Sequence, residues 1–148
     1  HEEGFRVMAH VNGARAVQDA VECGVDSVEH GNFMDEECLQ SFAQSHAVWV
    51  PTVVTISNLV GSGRFRDEVL RPLQERQERN LRRAYELGIP MALGSDAGAY
   101  RVLHGQGLAD EYQVFKRVFS DRLPAGPGRS HDPGEIFQIL ELTEAAGT

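Results

Sequence analysis

The stretch Ala92-Leu93-Gly94-Ser95-Asp96-Ala97-Gly98 decides how this chain is read. A short apolar run, Met91 to Leu93, passes into a small-residue turn carrying one carboxylate, Asp96. That pattern is a buried strand delivering an acidic group to its C-terminal end, where parallel α/β folds build their sites. Two earlier segments have the same form: Phe5 to His10 ends in a histidine, and Asp26 to Gly31 carries His30 at its end. Taken singly, such a histidine is more often a hydrogen-bonded structural residue, and such an aspartate a turn former. Three strand ends releasing His, His and Asp instead outline a metal-dependent site, because neutral imidazoles and a carboxylate are ligands of zinc and its neighbours.

The intervening segments fit helices. Ala14 to Cys23 places Ala14, Val17, Ala20 and Val21 on one face, with Gly24 as its C-terminal cap. Asp35 caps a second helix with Cys38, Leu39, Phe42 and Ala43 on its inner face. Ala47 to Val54 reads as the third strand, with Pro51 near its C-terminal end, and Ile56 to Gly63 as a loop able to contact substrate. A long polar helix from about Arg66 to Leu87 interleaves arginines with glutamates, as on a solvated outer face with i,i+4 pairs. After the fourth strand, Met91 to Ser95, come a helix from Leu108 to Phe119, the loop Pro124–Gly128 and a last helix introduced by Asp132-Pro133.

Strand and helix thus alternate, which predicts an α/β fold with a parallel sheet covered by helices. Four strands are half of an eight-stranded barrel, which needs roughly 250 residues. A four-stranded open sheet would leave two parallel edges bare. The expected architecture is therefore a partial (β/α)8 TIM barrel occupying residues 1–148, and the chain, opening at His1 without a methionine, reads as an excerpt from a longer protein.

The 148 residues suffice for one core, and 41 % apolar with 24 % charged residues is ordinary for a globular protein. A formal charge of −8 argues against nucleic acid as a partner. No apolar stretch approaches the ~20 residues that span a bilayer, and without a targeting signal a cytoplasmic location is expected. Cys23 and Cys38 lack metal-type spacing and read as free thiols.

The ordered set Ala9-His10-Val11-Asn12-Gly13, Gly24 to Gly31, Val50-Pro51-Thr52 and Gly94-Ser95-Asp96-Ala97-Gly98 resembles the C-terminal half of a metal-dependent amidohydrolase. The branch it is most similar to contains imidazolonepropionase-like enzymes and Xaa-Pro dipeptidase relatives. The resemblance covers roughly Phe5 to Phe119 and implies strands five to eight of the barrel. It implies that His10 and His30 are metal ligands at the ends of strands five and six, and that Asp96, ending strand eight, is both ligand and proton shuttle. One or two divalent ions, most readily Zn2+, would activate water to cleave an amide or peptide-like C–N bond of a small dipeptide-like substrate. The family's His-x-His pair and strand-end lysine are absent: no His-x-His occurs, and the single lysine, Lys116, follows strand eight. The isolated chain is therefore expected to be inactive without the missing half, and an open half-barrel to associate, for example as a homo-oligomer.

Tyr100, Arg101 and His104 lie in the loop after Asp96 and are candidates for binding substrate. His104-Gly105 followed by Glu111 is similar to a substrate-contacting segment of the peptidase-like members, and Asn12 and Asn58 are further candidates for substrate contact. Glu29, next to His30, should point away from the metal, and His46 and His131 sit in polar settings unlike ligands. Two other readings stand beside the amidohydrolase: a deaminase on the same scaffold, and a non-catalytic barrel fragment that binds metal or a partner. A Schiff-base lyase is disfavoured because no lysine reaches the rim.

Overall fold

The computed structural model describes residues 1–120; the expected loop at Pro124–Gly128, the last helix and His131 lie outside the described residues. Three short strands, β1 (Met8–Val11), β2 (Ser27–His30) and β3 (Val48–Val50), form a parallel sheet in that order. Val11 pairs with His30 across the first junction and Glu29 with Val50 across the second, so the strands' C-terminal ends lie side by side. Helix α1 (Ala14–Glu22) connects β1 to β2, and α2 (Glu36–Ala43) connects β2 to β3. A single helical turn α3 (Val54–Ser57), the long α4 (Asp67–Glu86) and α5 (Gln106–Val118) follow.

The caps form where the sequence places them. The Asp35 carboxylate accepts the Cys38 amide at 2.9 Å, which satisfies one of the free donors opening α2. Helices α1 and α4 end alike: Gly24 (φ 82°) and Gly88 (φ 73°) adopt the left-handed conformation, and the next residue's amide reaches back to Ala20 and Ala84. Val17 and Val21 of α1, Leu39 and Phe42 of α2, and Leu81 and Ala84 of α4 join Val28, Trp49 and Met91 in one buried cluster.

The third strand is shorter than expected. It stops at Val50 because Pro51 has no N–H to continue the ladder and Thr52 turns the chain at φ 48°. Val53 and Val54, β-branched and strand-like by propensity, instead enter α3, because a tertiary partner takes their amides. The fourth strand is reduced to a bridge for the same reason. Trp49 N–H donates to Pro90 O (2.8 Å) and Ala92 N–H to Trp49 O (2.9 Å), and beyond Ala92 β3 offers no further partner. Side-chain packing continues past the bridge: a Cβ on Gly94 would sit 2.3 Å from Val50 Cγ1.

Two further expectations change. Phe5 to Ala9 reads as a buried run, yet Phe5 and Met8 are each 74 % exposed, because β1 is a sheet edge that no described strand pairs. The arginine-rich face of α4 makes the expected i,i+4 pair Arg71–Asp67, but it also cross-links the fold. Arg76 donates to the carbonyls of Phe33 and Met34, and Arg83 grips the Glu36 carboxylate of α2, holding it down to about 2.

Two outcomes follow from this packing. Gly94→Ala should lower stability by about 1–3 kcal/mol, read as a lower urea midpoint, because Val50 cannot yield 2.3 Å of contact without leaving its rotamer. Cys38 is buried and its thiol is pushed up to about 11 by burial, whereas Cys23 is exposed. A thiol reagent should therefore label one cysteine in the folded chain and two in denaturant, as counted by mass spectrometry.

Candidate active site

The adjacent C-terminal ends of β1 and β2 bring two imidazoles together. His10 lies opposite Glu29 in the parallel register, one step before the Val11–His30 pair, and its exposed ring meets the buried ring of His30 edge to face, 4.3 Å between centroids. His30 Nε2 stands 2.9 Å from His10 Nδ1, and His30 Nδ1 stands 2.7 Å from Thr52 Oγ1. The relay has two consistent proton assignments. In one of them Nδ1–H of His30 donates to the Thr52 hydroxyl, leaving Nε2 as a lone-pair donor facing His10. Burial, and then the neighbouring His10, lower the His30 pKa, while Asp96 and Glu29 pull it upward. A neutral imidazole is the form that ligates a metal.

Three strand ends share one backbone feature. His30 (φ 67°), Thr52 (φ 48°) and Asp96 (φ 53°) all occupy the left-handed region that non-glycine residues rarely adopt. Each such residue costs on the order of 1–3 kcal/mol and persists only where its surroundings over-determine it. For His30 the surroundings are clear. Trp49 Nε1–H donates to the His30 carbonyl (2.8 Å), and a Cβ on the following Gly31 would lie 2.7 Å from that same indole nitrogen. Asp96 is exposed, and its carbonyl accepts the Ala99 amide in a tight turn.

The residues fit one edge of a divalent ion. Two nitrogens sharing a tetrahedral zinc at about 2.0–2.1 Å stand roughly 3.3 Å apart, so the observed 2.9 Å needs only a slight opening of the ring pair. The Thr52 hydroxyl on the far ring nitrogen is the outer partner that fixes a ligating histidine. Among the described residues, no group of three or more His, Cys, Asp or Glu side chains is gathered closely enough to hold a metal. Asp96 thus acts on His30 through its charge but does not complete a three-donor cluster with the histidine pair.

The other candidates divide. Tyr100 is half exposed and lies under the Arg64 guanidinium, 4.3 Å from its ring centre. Arg101 (φ 66°) and His104 are exposed in the same loop. Asn58 is committed to tying that loop down, donating to Arg101 O and Asp110 Oδ2 at 3.1 Å each. Asn12 accepts the Asn32 amide (2.9 Å), and Gln77 of α4 hydrogen-bonds Asn32, so both strand-end loops are strapped to α4. Glu29 accepts Ser27 Oγ–H and His46 is exposed, in line with their structural reading.

Glu111 does not face a substrate. It is fully buried, and its two carboxylate oxygens accept the amides of Val53 (3.0 Å) and Val54 (2.9 Å). The sequence holds a signal for this: Glu111, Val114, Phe115 and Val118 follow the i, i+3, i+4, i+7 spacing of the buried face of α5, so the carboxylate occupies a core position. Thr52 carried no comparable signal, because its role depends on a turn visible only in the fold.

No family model matches the chain. It is 30 % identical over 124 residues to uncharacterized proteins of Mycobacterium tuberculosis and Mycobacterium bovis; the match takes in 80 % of this chain. The chain spans about a third of the length of these curated relatives, 33 %. Among solved structures, an amidohydrolase superposes with a TM-score of 0.63 at 27 % identity, over 79 % of this chain and 29 % of its own. A Xaa-Pro dipeptidase with methionine bound in its active site gives 0.62 at 28 % identity, over 84 % and 31 %. A prolidase complexed with N-methylphosphonate-L-proline gives 0.62 at 29 %, over 81 % and 30 %. The neighbours are hydrolases of the amidohydrolase and dipeptidase type. The chain resembles, in sequence and in fold, a segment of the amidohydrolase superfamily covering about 30 % of those proteins.

Burial raises the Glu111 carboxyl from its ordinary 4.5 to about 7, against the lowering effect of the two amide bonds. A group that binds its proton more tightly when folded contributes stability that is full below pH 4.5 and lost as the pH rises to 7. This contribution amounts to up to about 3 kcal/mol. Urea midpoints measured at pH 5 and pH 7.5 should accordingly fall for the wild type and stay closer together for Glu111→Gln.

Proposed function

We propose that this chain carries part of the active site of a metal-dependent hydrolase acting on C–N bonds of small amide or dipeptide-like substrates. The observation that supports this most is the convergence of His10 Nδ1 and His30 Nε2 at the ends of two adjacent parallel strands. In this reading His10, His30 and Asp96 hold the ion, with Zn2+ the best match to imidazole and carboxylate donors. The domain, residues 1–148, corresponds to the C-terminal half of a (β/α)8 barrel and contributes strands five to eight; the parallel order β1-β2-β3 and the bridge to Met91 are compatible with it.

A divalent ion at such a site lowers the pKa of water and polarises a carbonyl oxygen. The chain's own residues do the rest. Thr52 holds the far nitrogen of His30, so that its near nitrogen faces the site. Asp96, exposed on the same rim, takes a proton from the attacking water and returns it to the leaving amine. Tyr100, Arg101 and His104, in the loop beyond, contact the substrate, and Arg101 suits a carboxylate. The methionine and the phosphonate-proline held by the dipeptidase and prolidase neighbours support a substrate of amino-acid size.

Because the described residues supply two converging nitrogens and the chain matches about a third of its relatives, the chain alone should not hydrolyse dipeptides. It should nevertheless bind Zn2+, measurable by competition with a chromogenic chelator. His10→Ala and His30→Ala should each weaken that binding at least 10-fold, and unchanged binding in both would refute the ligand assignment. In a protein containing this chain and the remainder of the barrel, Asp96→Asn should reduce kcat at least 100-fold with the fold retained.

A further inference from the structure

The Thr52 turn is the least favourable backbone in the site, because a β-branched side chain at φ 48° crowds its own main chain. It is also the turn from which the Thr52 hydroxyl reaches His30, at 2.7 Å. Something must over-determine it. Locally, the Thr52 carbonyl accepts both the amide and the hydroxyl of Thr55, at 3.1 and 2.9 Å. The remaining constraint comes from far along the chain: Glu111, on α5, takes the next two amides, Val53 and Val54, one on each carboxylate oxygen.

Only a carboxylate suits this task. Two adjacent N–H groups need two acceptors, and a glutamine would offer one oxygen and turn its amide protons against the second donor. The group is completely enclosed. Burying a carboxylate costs more than burying an apolar residue of the same size, so its presence is not accounted for by stability. Burial raises its pKa, which measures that cost.

We infer that Glu111 is a positioning residue for the metal site: by clamping the Val53 and Val54 amides it fixes the Thr52 turn, and through the Thr52 hydroxyl it aims the His30 ring at His10. The relay runs unbroken from Glu111 to Val53 and Val54, through the turn to Thr52, then to His30 and His10. The inference rests on the metal-hydrolase reading for its purpose, but the relay itself exists in the metal-free chain and is tested there.

The decisive measurement is nitrogen NMR of the histidine rings in the metal-free 148-residue chain. Thr52→Val, which cuts the last link, supplies the reference spectrum of a His30 released from its partner. Glu111→Gln should move the His30 ring nitrogens toward that reference and speed exchange of the Val53 and Val54 amides at least 10-fold. It should also weaken Zn2+ binding about 10-fold, as loss of an outer-shell partner does. A carboxylate that merely satisfied two amides would change the exchange rates and leave the His30 spectrum as in the wild type; that result overturns the inference. If Glu111→Gln fails to fold, Glu111→Asp, which keeps the charge but reaches only one of the two amides, is read in the same way. If His10→Ala and His30→Ala leave Zn2+ binding unchanged, the metal reading fails by itself, and the His30 spectrum still decides whether Glu111 positions the ring.

Discussion

The indole of Trp49 is the point on which the arrangement of the site depends. Its ring N–H holds the His30 carbonyl, and so secures the left-handed backbone that presents the His30 ring. Its main chain pairs with the Pro90 carbonyl and the Ala92 amide, which anchors the run leading to Asp96. One buried residue at the centre of β3 therefore ties two of the three strand ends together. The close approach has a requirement of its own: Gly31 must lack a side chain, since a Cβ there would meet the indole nitrogen at 2.7 Å.

Around that anchor the site is built from short elements under strain and long elements that restrain them. The strands are three or four residues long and end abruptly, where Pro51 and the left-handed residues break the ladder. Helix α4, twenty residues long, straps the β2–α2 segment through Arg76, Gln77, Asn80 and Arg83. Helix α5 restrains the β3 end through Glu111. The polar face of α4 is thus partly a set of cross-links to the loops around the site rather than only a solvated surface. Surface ion pairs contribute little in isolation, but the Arg83 fork on Glu36 is bidentate and joins two helices, the arrangement in which geometry is best defined.

Similarity to amidohydrolases and dipeptidases over about 30 % of their length agrees with what the residues alone suggest about chemistry. A pair of converging imidazoles backed by a hydroxyl is a partial ligand shell, and Asp96 lies on the same rim without closing it. The exposed β1 edge, with Phe5 and Met8 largely uncovered, is the other unfinished feature of the described residues. Both have one physical meaning: a parallel sheet in this class of fold is covered on both sides, and its sites draw on several strands at once.

Much of this was determined by the sequence by itself. Alternating apolar runs and amphipathic stretches specify the βαβαβ order, Gly24, Asp35 and Gly88 mark their helix ends, and His10 and His30 fall where parallel strands set them side by side. These features depend on local patterning and on chain direction, both written in one dimension. Only the tertiary structure decided where the third strand ends, because the β-branched Val53 and Val54 follow the buried Glu111 carboxylate rather than their own propensity. It likewise reduced the fourth strand to a bridge and gave Asn12 and Asn58 structural partners. Thr52 became the partner of His30 in the same way. Each of these depends on a contact between residues roughly 20 to 60 positions apart, and no local pattern encodes the partner that such a residue will meet.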